Sequence, residues 1–315
     1  MLAIALVMVP IVAVVALGAV LNRVGLLPPA GRATCSQLVY WIALPALLMV
    51  KLSAHDPLEL MDPAALTAMA VVFALIGAGA LLATTRLSPA ARGSAVCGMT
   101  RFNGAFVGLP VVVLAVEQLG PAVGEQLVPA YLVVLAAMVP VTHVVGIVAI
   151  LLPQHGLTRD GMGKMLRGLV RNPILLGCAA GVCLGLTIPG CLDGGPIGRS
   201  LALVGSAAVP LALLSTGAAL SLTALRGRLL LIATAASVKL LLLPAAVFAA
   251  TRWLGCDTAT TVACVILAAC PTAVSSVPVA RELGADEDLM AACVVASTLC
   301  APVTLGLWLW LTSTG

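Results

Sequence analysis

Apolar stretches of about 20 residues follow one another along this chain, separated by short polar connections. Hydrophobic residues make up 62% of its 315 positions and charged residues only 9%, whereas about 25% of residues are charged in a typical water-soluble domain. One soluble core could not enclose that much apolar surface, but a lipid bilayer accepts it because its interior is apolar. The sequence therefore predicts an all-α integral membrane protein.

Ten of the apolar stretches are candidates for membrane-spanning helices, since a span needs about 20 mainly apolar residues. Glycine and proline interrupt the fourth and the ninth stretch, which predicts that these two helices are broken. The longest polar connection, 153–172, separates a first group of five spans within 1–152 from a second group within 173–315. The predicted spans are 2–22, 34–52, 63–85, 92–118, 125–152, 173–190, 200–222, 228–250, 260–283 and 289–312.

Lysine and arginine are distributed unevenly between the two sides of such a membrane. Cytoplasmic loops carry an excess of these residues, so the richer side should be cytoplasmic, with the 153–172 loop there and both termini outside. We expect a multi-pass protein of the cell's inner (plasma) membrane. The richer side holds Arg23, Arg32, Arg86, Arg92, Arg159, Lys164, Arg167, Arg171, Arg226, Arg228 and Arg281, and the other side holds Lys51, Arg199 and Arg252.

The two groups of spans contain similar motifs in the same order. The sequence N-G-A-F-V-G-L-P at 103–110 is matched by P-T-A-V-S-S-V-P at 271–278, and A-L-P-A-L-L from Ala43 by A-V-P-L-A-L-L from Ala208. Each group has five spans, an odd number, so the second group enters the membrane from the opposite side. The pattern predicts two inverted five-helix repeats, an architecture typical of secondary transporters.

The two breaks are the predicted substrate site. A helix break exposes backbone groups that are costly in lipid, so it is kept only where protein lines a cavity, and paired breaks in transporter repeats indicate the binding site. The structural alternative is that these prolines only kink their helices, since proline is frequent in membrane helices. The candidate positions are Pro110, Pro271 and Pro278 at the crossover, with Asn103, Gly104, Thr272, Ser275 and Ser276 as polar neighbours.

Arg101 and Lys239 fall within the cores of predicted spans, and no acidic residue does. A basic residue at the bilayer centre costs about 2.5–3.5 kcal/mol on insertion scales, which favours a functional role. The carboxylate of an anionic substrate would supply the missing negative charge, so both residues are predicted to bind substrate. The structural alternatives are an Arg101 that extends along its helix towards the membrane surface, and a Lys239 bonded to backbone carbonyls at a helix break. A third polar residue inside a span, His143, is predicted to be a hydrogen-bonded packing residue.

The stretch R-F-N-G-A-F-V-G-L-P from Arg101 resembles the fourth-helix motif of the auxin efflux carrier family, which includes the plant PIN carriers and bacterial malate or malonate permeases. The stretches A-L-P-A-L-L from Ala43, R-N-P-I-L-L-G from Arg171, C-P-T-A-V-S from Cys270 and A-A-C-V-V-A-S-T-L from Ala291 agree, so the resemblance covers nearly the whole chain.

This resemblance implies ten helices in two inverted repeats, with broken helices four and nine crossing near mid-membrane. It also implies elevator-type transport of small organic anions, with Asn103, Pro110, Pro271 and Pro278 at the crossover. The chain departs from the long PIN carriers in lacking their long cytoplasmic loop. It also has Pro271 where the first repeat has Asn103.

Other function classes fit the sequence less well. A sodium-coupled symporter of the bile-acid type would also have crossed helices, and sodium-dependent uptake would distinguish it; saturable exchange would argue against a channel. Ten scattered cysteines form no C-x-x-C pair, and neither paired aspartates nor H-E-x-x-H is present. We therefore predict no catalytic residue, metal or cofactor, although Cys191 and Cys256 could both lie outside and pair.

The expected partners follow from the same reasoning. They are the lipid bilayer, a small organic anion such as malate, malonate or an auxin-like acid, and a coupling ion, either a proton or sodium. No basic tract or phosphate-binding loop indicates nucleic acid. The oligomeric state is left open by the sequence, with a homodimer as the candidate.

The lysine and arginine count generates a test of topology. A cysteine introduced at position 160, in the 153–172 connection, should react with a membrane-impermeant thiol reagent only when the reagent reaches the cytoplasmic side. Labelling of this position from outside intact cells would reverse the predicted orientation.

Overall fold

The computed structural model describes residues 2–54, 62–108, 111–112, 115–116, 121–156, 158–219 and 227–314, and these residues form helices and no strand. The predicted all-α class is therefore confirmed. The helices are α1 (Leu2–Arg23), α2 (Pro29–Ser53), α3 (Pro63–Ala83), α4 (Pro89–Thr100), α5 (Pro121–His155), α6 (Arg159–Val170), α7 (Pro173–Thr187), α8 (Pro196–Ser206 and Ala208–Ala219), α9 (Leu229–Trp253), α10 (Thr258–Ala269), α11 (Ser276–Glu282) and α12 (Glu287–Thr314).

Six helices in the part of the chain that the structure describes are long and apolar enough to cross a membrane: Pro29–Ser53, Pro63–Ala83, Gln126–His155, Pro196–Ala218, Leu229–Trp253 and Glu287–Thr312. Three shorter apolar helices accompany them: Ala13–Arg23, Pro173–Thr187 and Thr258–Ala269. Leu75, Leu82 and Trp253 are examples of large apolar side chains left exposed on this bundle. Such exposure suits a surface that faces lipid, where apolar contact with the surroundings costs nothing.

Prolines in the first turn, preceded by capping residues, start several of these helices. The Asn172 side-chain oxygen accepts hydrogen bonds from the backbone N–H groups of Ile174 and Leu175, at 3.0 and 3.3 Å. Helix α7 therefore starts where the predicted span 173–190 begins, since Asn is a favoured cap and Pro lacks the N–H that the first turn leaves unpaired. The Asn172 side chain also donates to the Tyr40 hydroxyl at 2.8 Å, which ties the start of α7 to α2.

The predicted polar connection 153–172 contains a helix, α6. The residues before it belong to α5, which ends at His155. Apolar residues recur at 162, 165, 166 and 169, the spacing of one face of a helix. The charged residues between them make the segment polar as a whole, so its composition alone does not indicate a helix.

Four helices, α1, α2, α7 and α8, pack against one another as one group, with α2 along α7 and α8, and α1 along α8. Glycine brings their backbones into direct contact. A methyl group at Gly181 of α7 would lie 2.8 Å from the Met49 carbonyl oxygen of α2, and one at Gly217 of α8 would overlap the Val15 carbonyl oxygen of α1. Small residues at such contacts let membrane helices approach closely, where dispersion contacts replace a hydrophobic driving force.

The second group consists of α3, α4, α5, α9, α10 and α12. At its centre lie the two short helices α4 and α10, which are buried along almost their whole length: every residue from Gly93 to Thr100 and from Thr261 to Ala269. Helix α5 packs along both, α9 packs along α3 and α10, and α12 contacts α4 and α10. The short helices are therefore enclosed by protein.

Two long helices contain a π turn directly before a Leu-Pro dipeptide. In α2 the turn is Val39–Ala43, before Leu44-Pro45, and in α9 it is Val238–Leu242, before Leu243-Pro244. Proline inside a helix removes one hydrogen bond and collides with the carbonyl four residues earlier. The wider π turn accommodates the proline without ending the helix. Lys239 lies in the second of these turns.

The glycine contacts generate a test of packing. Gly217→Ala should lower the unfolding temperature of the purified protein, because the added methyl group forces α1 and α8 apart; overpacking of this kind costs about 1–3 kcal/mol. Gly79→Ala is the matched control, since nothing lies within 4 Å of a methyl group there and alanine is the better helix former. Equal unfolding temperatures for the two variants would contradict the close contact of α1 with α8.

Candidate functional site

The first helix break follows α4. This helix ends at Thr100, Arg101 has extended backbone angles (φ −78°, ψ 145°), and a π turn begins at Gly104. The Asn103 carbonyl accepts from the N–H groups of Val107 and Gly108, at 3.0 and 3.3 Å, so Asn103 starts the helical turn after the break. The break thus comes two residues earlier than the predicted 103–110 segment. Pro110, predicted at the crossover, lies outside the described residues.

The second break follows α10. Helix α10 ends at Ala269, Cys270 has extended angles (φ −57°, ψ 143°), and α11 begins at Ser276. Pro271 lies in the break as predicted. Pro278 does not, because it lies in the first turn of α11, where a proline's missing N–H leaves no helical hydrogen bond unmade.

The two breaks contact each other directly. The Asn103 N–H donates to the Pro271 carbonyl at 2.8 Å. The Thr272 hydroxyl donates to the Gly98 carbonyl in the last turn of α4 at 2.7 Å. A helix end leaves its last carbonyls without partners. Thr272 of the second break therefore supplies a hydrogen bond that one carbonyl at the end of α4 would otherwise lack.

Arg101 is buried between the two breaks, with 2% of its surface exposed. Its Nη2 donates to His143 Nε2 at 3.1 Å and to the Ser275 hydroxyl at 3.2 Å. In the part of the chain that the structure describes, its Nη1 has no hydrogen-bond partner and no carboxylate lies within 4 Å of the guanidinium. Arg101 therefore remains inside the protein and does not extend to the membrane surface.

His143 connects Arg101 to α5. Its Nδ1 lies 2.7 Å from the Val139 carbonyl oxygen. A carbonyl only accepts, so Nδ1 carries the hydrogen and Nε2 offers its lone pair to Arg101. This agrees with the prediction of a hydrogen-bonded packing residue.

Asn103 and Gly104 complete the first break. The Asn103 side-chain Nδ2 is buried and, among the described residues, has no acceptor. The Gly104 carbonyl accepts from the Tyr131 hydroxyl at 2.9 Å. A methyl group at Gly104 would lie 2.7 Å from Leu135 Cδ1 and would overlap Leu267 Cδ1, so these two leucine side chains would have to move to admit a larger residue.

Lys239 is fully buried, and its ammonium donates to the Ala268 carbonyl at 2.5 Å. Ala268 is in the last turn of α10, where the unpaired carbonyls carry partial negative charge. This is the contact that the structural alternative describes, a lysine bonded to a backbone carbonyl at a helix break. The substrate-binding role of Lys239 stays a prediction.

Of the predicted site residues, the two breaks bring together Arg101, Asn103, Gly104, Pro271, Thr272 and Ser275. Lys239 instead contacts the last turn of α10, through the Ala268 carbonyl. The sequence predicts a packing role for His143 and none for Tyr131, yet both hold the first break in place. For Tyr131 the sequence offered one signal, since it is one of only two tyrosines in the chain. All ten cysteines, Cys191 and Cys256 included, are free thiols.

A bundle of apolar helices that encloses two broken helices, with buried donors at the break, is the arrangement of a membrane transporter. The comparison with protein families agrees. Residues 3–309 match the family model described as a membrane transport protein. The chain therefore belongs to this family, the auxin efflux carrier family that its motifs resemble. No curated protein matches the chain.

The position of Lys239 generates a test of its role. If its charge attracts a substrate carboxylate, Lys239→Ala should bind the anion at least about 10-fold more weakly, and Lys239→Arg should restore only part of the affinity, because a planar fork replaces a compact charge. Affinity and unfolding temperature should be measured on both variants. An alanine variant that unfolds earlier but binds with unchanged affinity would give Lys239 a purely structural role.

Proposed function

We propose that this protein is a secondary transporter of small organic anions, with carboxylates such as malate, malonate or auxin-like acids as substrates, bound at the two helix breaks. One observation carries the proposal: Arg101 Nη1 and Asn103 Nδ2 are buried hydrogen-bond donors for which the described residues supply no acceptor. A buried donor without a partner costs about 1–3 kcal/mol. A carboxylate would satisfy both donors and offset the guanidinium charge.

The geometry of the first break suits a single small anion. Arg101 and Asn103 are two positions apart in a segment that leaves the helix with extended angles at Arg101. Gly104, Thr272 and Ser275 surround the same break, and Lys239 adds positive charge from the end of α10.

The proposed architecture has ten spans in two inverted repeats, with both termini outside and the 153–172 connection in the cytoplasm. Helices α1 to α5, including the turn after α4, form the first repeat (1–152), and α7 to α12 form the second (173–315). Three features support this. Both breaks follow buried 12-residue helices, they contact each other, and they fall in the fourth and ninth positions of the predicted spans.

The mechanism we propose is elevator-type alternating access, in which the helices that hold the site move against the group α1, α2, α7 and α8. The backbone contacts at glycine suit a rigid support. Between the groups lies a polar contact that can break: Glu287 of α12 binds Arg32 of α2 at 3.4 Å and Arg281 of α11 at 2.8 Å. Partly exposed ion pairs of this kind contribute only about 0–1 kcal/mol, so breaking them would not prevent such a movement.

The proposal is tested with purified protein in liposomes, by uptake of radiolabelled malate, malonate and indole-3-acetate. Arg101→Gln should weaken uptake and affinity about 10- to 100-fold, since a hydrogen bond to a charged group contributes about 1.5–3 kcal/mol. Asn103→Ser should fold but transport poorly, because a shorter hydroxyl cannot reach the same oxygen. Arg199→Gln is the matched control, since it removes one positive charge at an exposed position.

The outcomes separate the claims. Normal transport and affinity in Asn103→Ser would end the ligand role of Asn103, and the same result in Arg101→Gln would locate the anion elsewhere. Uptake that requires a sodium gradient would favour the sodium-coupled symporter of the bile-acid type.

A further inference from the structure

We infer that His143 takes up one proton when an anion binds to Arg101, so that substrate and proton occupy adjacent parts of one site. The inference rests on the proposed function, because it requires the anion at Arg101. It assigns a coupling role to a residue that sequence patterns indicated only as packing.

The starting point is the direction of the hydrogen bonds around the imidazole. His143 donates from Nδ1 to Val139 and accepts at Nε2 from Arg101. Arginine has five N–H donors and no acceptor. A proton on Nε2 would therefore place an N–H against an N–H and a second positive charge beside the first. Without an anion, the arrangement holds His143 neutral.

A bound anion reverses this preference. A carboxylate oxygen that accepts from Arg101 Nη1 cancels the guanidinium charge. Its second oxygen can then accept from a protonated Nε2, and Arg101 Nη2 keeps its bond to the Ser275 hydroxyl. With one carboxylate group bound at Arg101, the site carries one net positive charge when empty and one when it holds both this carboxylate and the proton, so their joint binding adds no buried charge. By linkage, the anion raises the proton affinity of His143 and the proton raises anion affinity by the same factor.

The surroundings leave His143 as the group that can respond. Helix α3, which packs against α5, has no titratable side chain between Pro63 and Ala83, and no described carboxylate lies within 4 Å of His143 or Arg101. The lysine nearest the breaks, Lys239, is held by the Ala268 carbonyl. The other helices packed against α5 also carry titratable groups. These are Arg92 and Cys97 of α4, Cys178 and Cys183 of α7, Cys264 of α10, and Arg159, Asp160, Lys164 and Arg167 of α6, and the second break adds Cys270.

The test counts protons by titration calorimetry. Malate, malonate and indole-3-acetate are each titrated into the purified full-length protein at about pH 7 to 8, where carboxyl groups of ordinary pKa are ionised. The titrations are run in two buffers of different ionisation enthalpy, and the difference in heat gives the protons taken up per bound anion. The wild type should take up about one proton, and its affinity should increase up to 10-fold for each unit by which the pH falls.

His143→Gln is the diagnostic variant, because its amide oxygen can still accept from Arg101 but the side chain does not titrate. It should bind the same probe with no proton uptake and no pH dependence, which also corrects for any proton taken up by the probe itself. Thr312→Val serves as the control for a buried polar change remote from the breaks, and it should keep the wild-type proton count.

The results distinguish the inference from the proposed function. Wild-type protein that binds a probe without proton uptake, or a His143→Gln variant with the wild-type proton count, would overturn the inference and leave the transporter proposal standing. Wild-type protein that binds none of the three probes would overturn both. The wild-type proton count decides the matter even if His143→Gln does not fold.

Discussion

The hydrogen bond between the Asn103 amide and the Pro271 carbonyl joins two interrupted helices, and the rest of the site depends on it. A break in a membrane helix leaves backbone groups that lipid cannot satisfy. Here each break satisfies part of the other, since Pro271 accepts from Asn103 and Thr272 donates to Gly98. The Lys239 ammonium donates a hydrogen bond to a further carbonyl, that of Ala268, at the end of α10. The breaks are therefore stable only together, enclosed by α5, α9 and α12.

This arrangement concentrates unpaired donors at one place. The first break is held by backbone hydrogen bonds, by the imidazole of His143 and by the hydroxyl of Tyr131. Arg101 Nη1 and Asn103 Nδ2 remain donors without an acceptor among the described residues. A structural arginine would be expected to have its charge paired, because a buried charge without a partner is costly. In the account proposed here, the substrate supplies the missing charge, which makes recognition of an anion a consequence of how the breaks are held together.

Much of this fold could be predicted from the sequence. Apolar stretches indicated the long helices, and the predicted span 173–190 begins where α7 begins, because both features depend on local chemistry. The glycines and prolines of the fourth and ninth stretches indicated the breaks. The exact limits differ from the prediction, since the first break begins at Arg101, before the Asn103-Gly104 pair, and Pro278 belongs to a helix. Helix α6 was missed because its apolar spacing is interrupted by charges.

The partners of the buried charges could not be predicted. Arg101 and His143 are 42 positions apart, and Lys239 and Ala268 are 29 apart. Each pair meets only through packing of whole helices, which no local pattern specifies. For Lys239 the sequence left two interpretations, and the structure shows the contact of the structural one. The sequence predicts the packing role of His143 but not its hydrogen bond to Arg101, which depends on α4 and α5 lying side by side.

The most direct test of the central claim is an experimental structure of the protein with the tightest-binding carboxylate of the three probes. The account predicts density for the carboxylate between the two breaks, with its oxygens about 3 Å from Arg101 Nη1 and Asn103 Nδ2. Carboxylate density bound elsewhere, with both donors still unoccupied or turned towards protein acceptors, would contradict the claim that the breaks form the anion site.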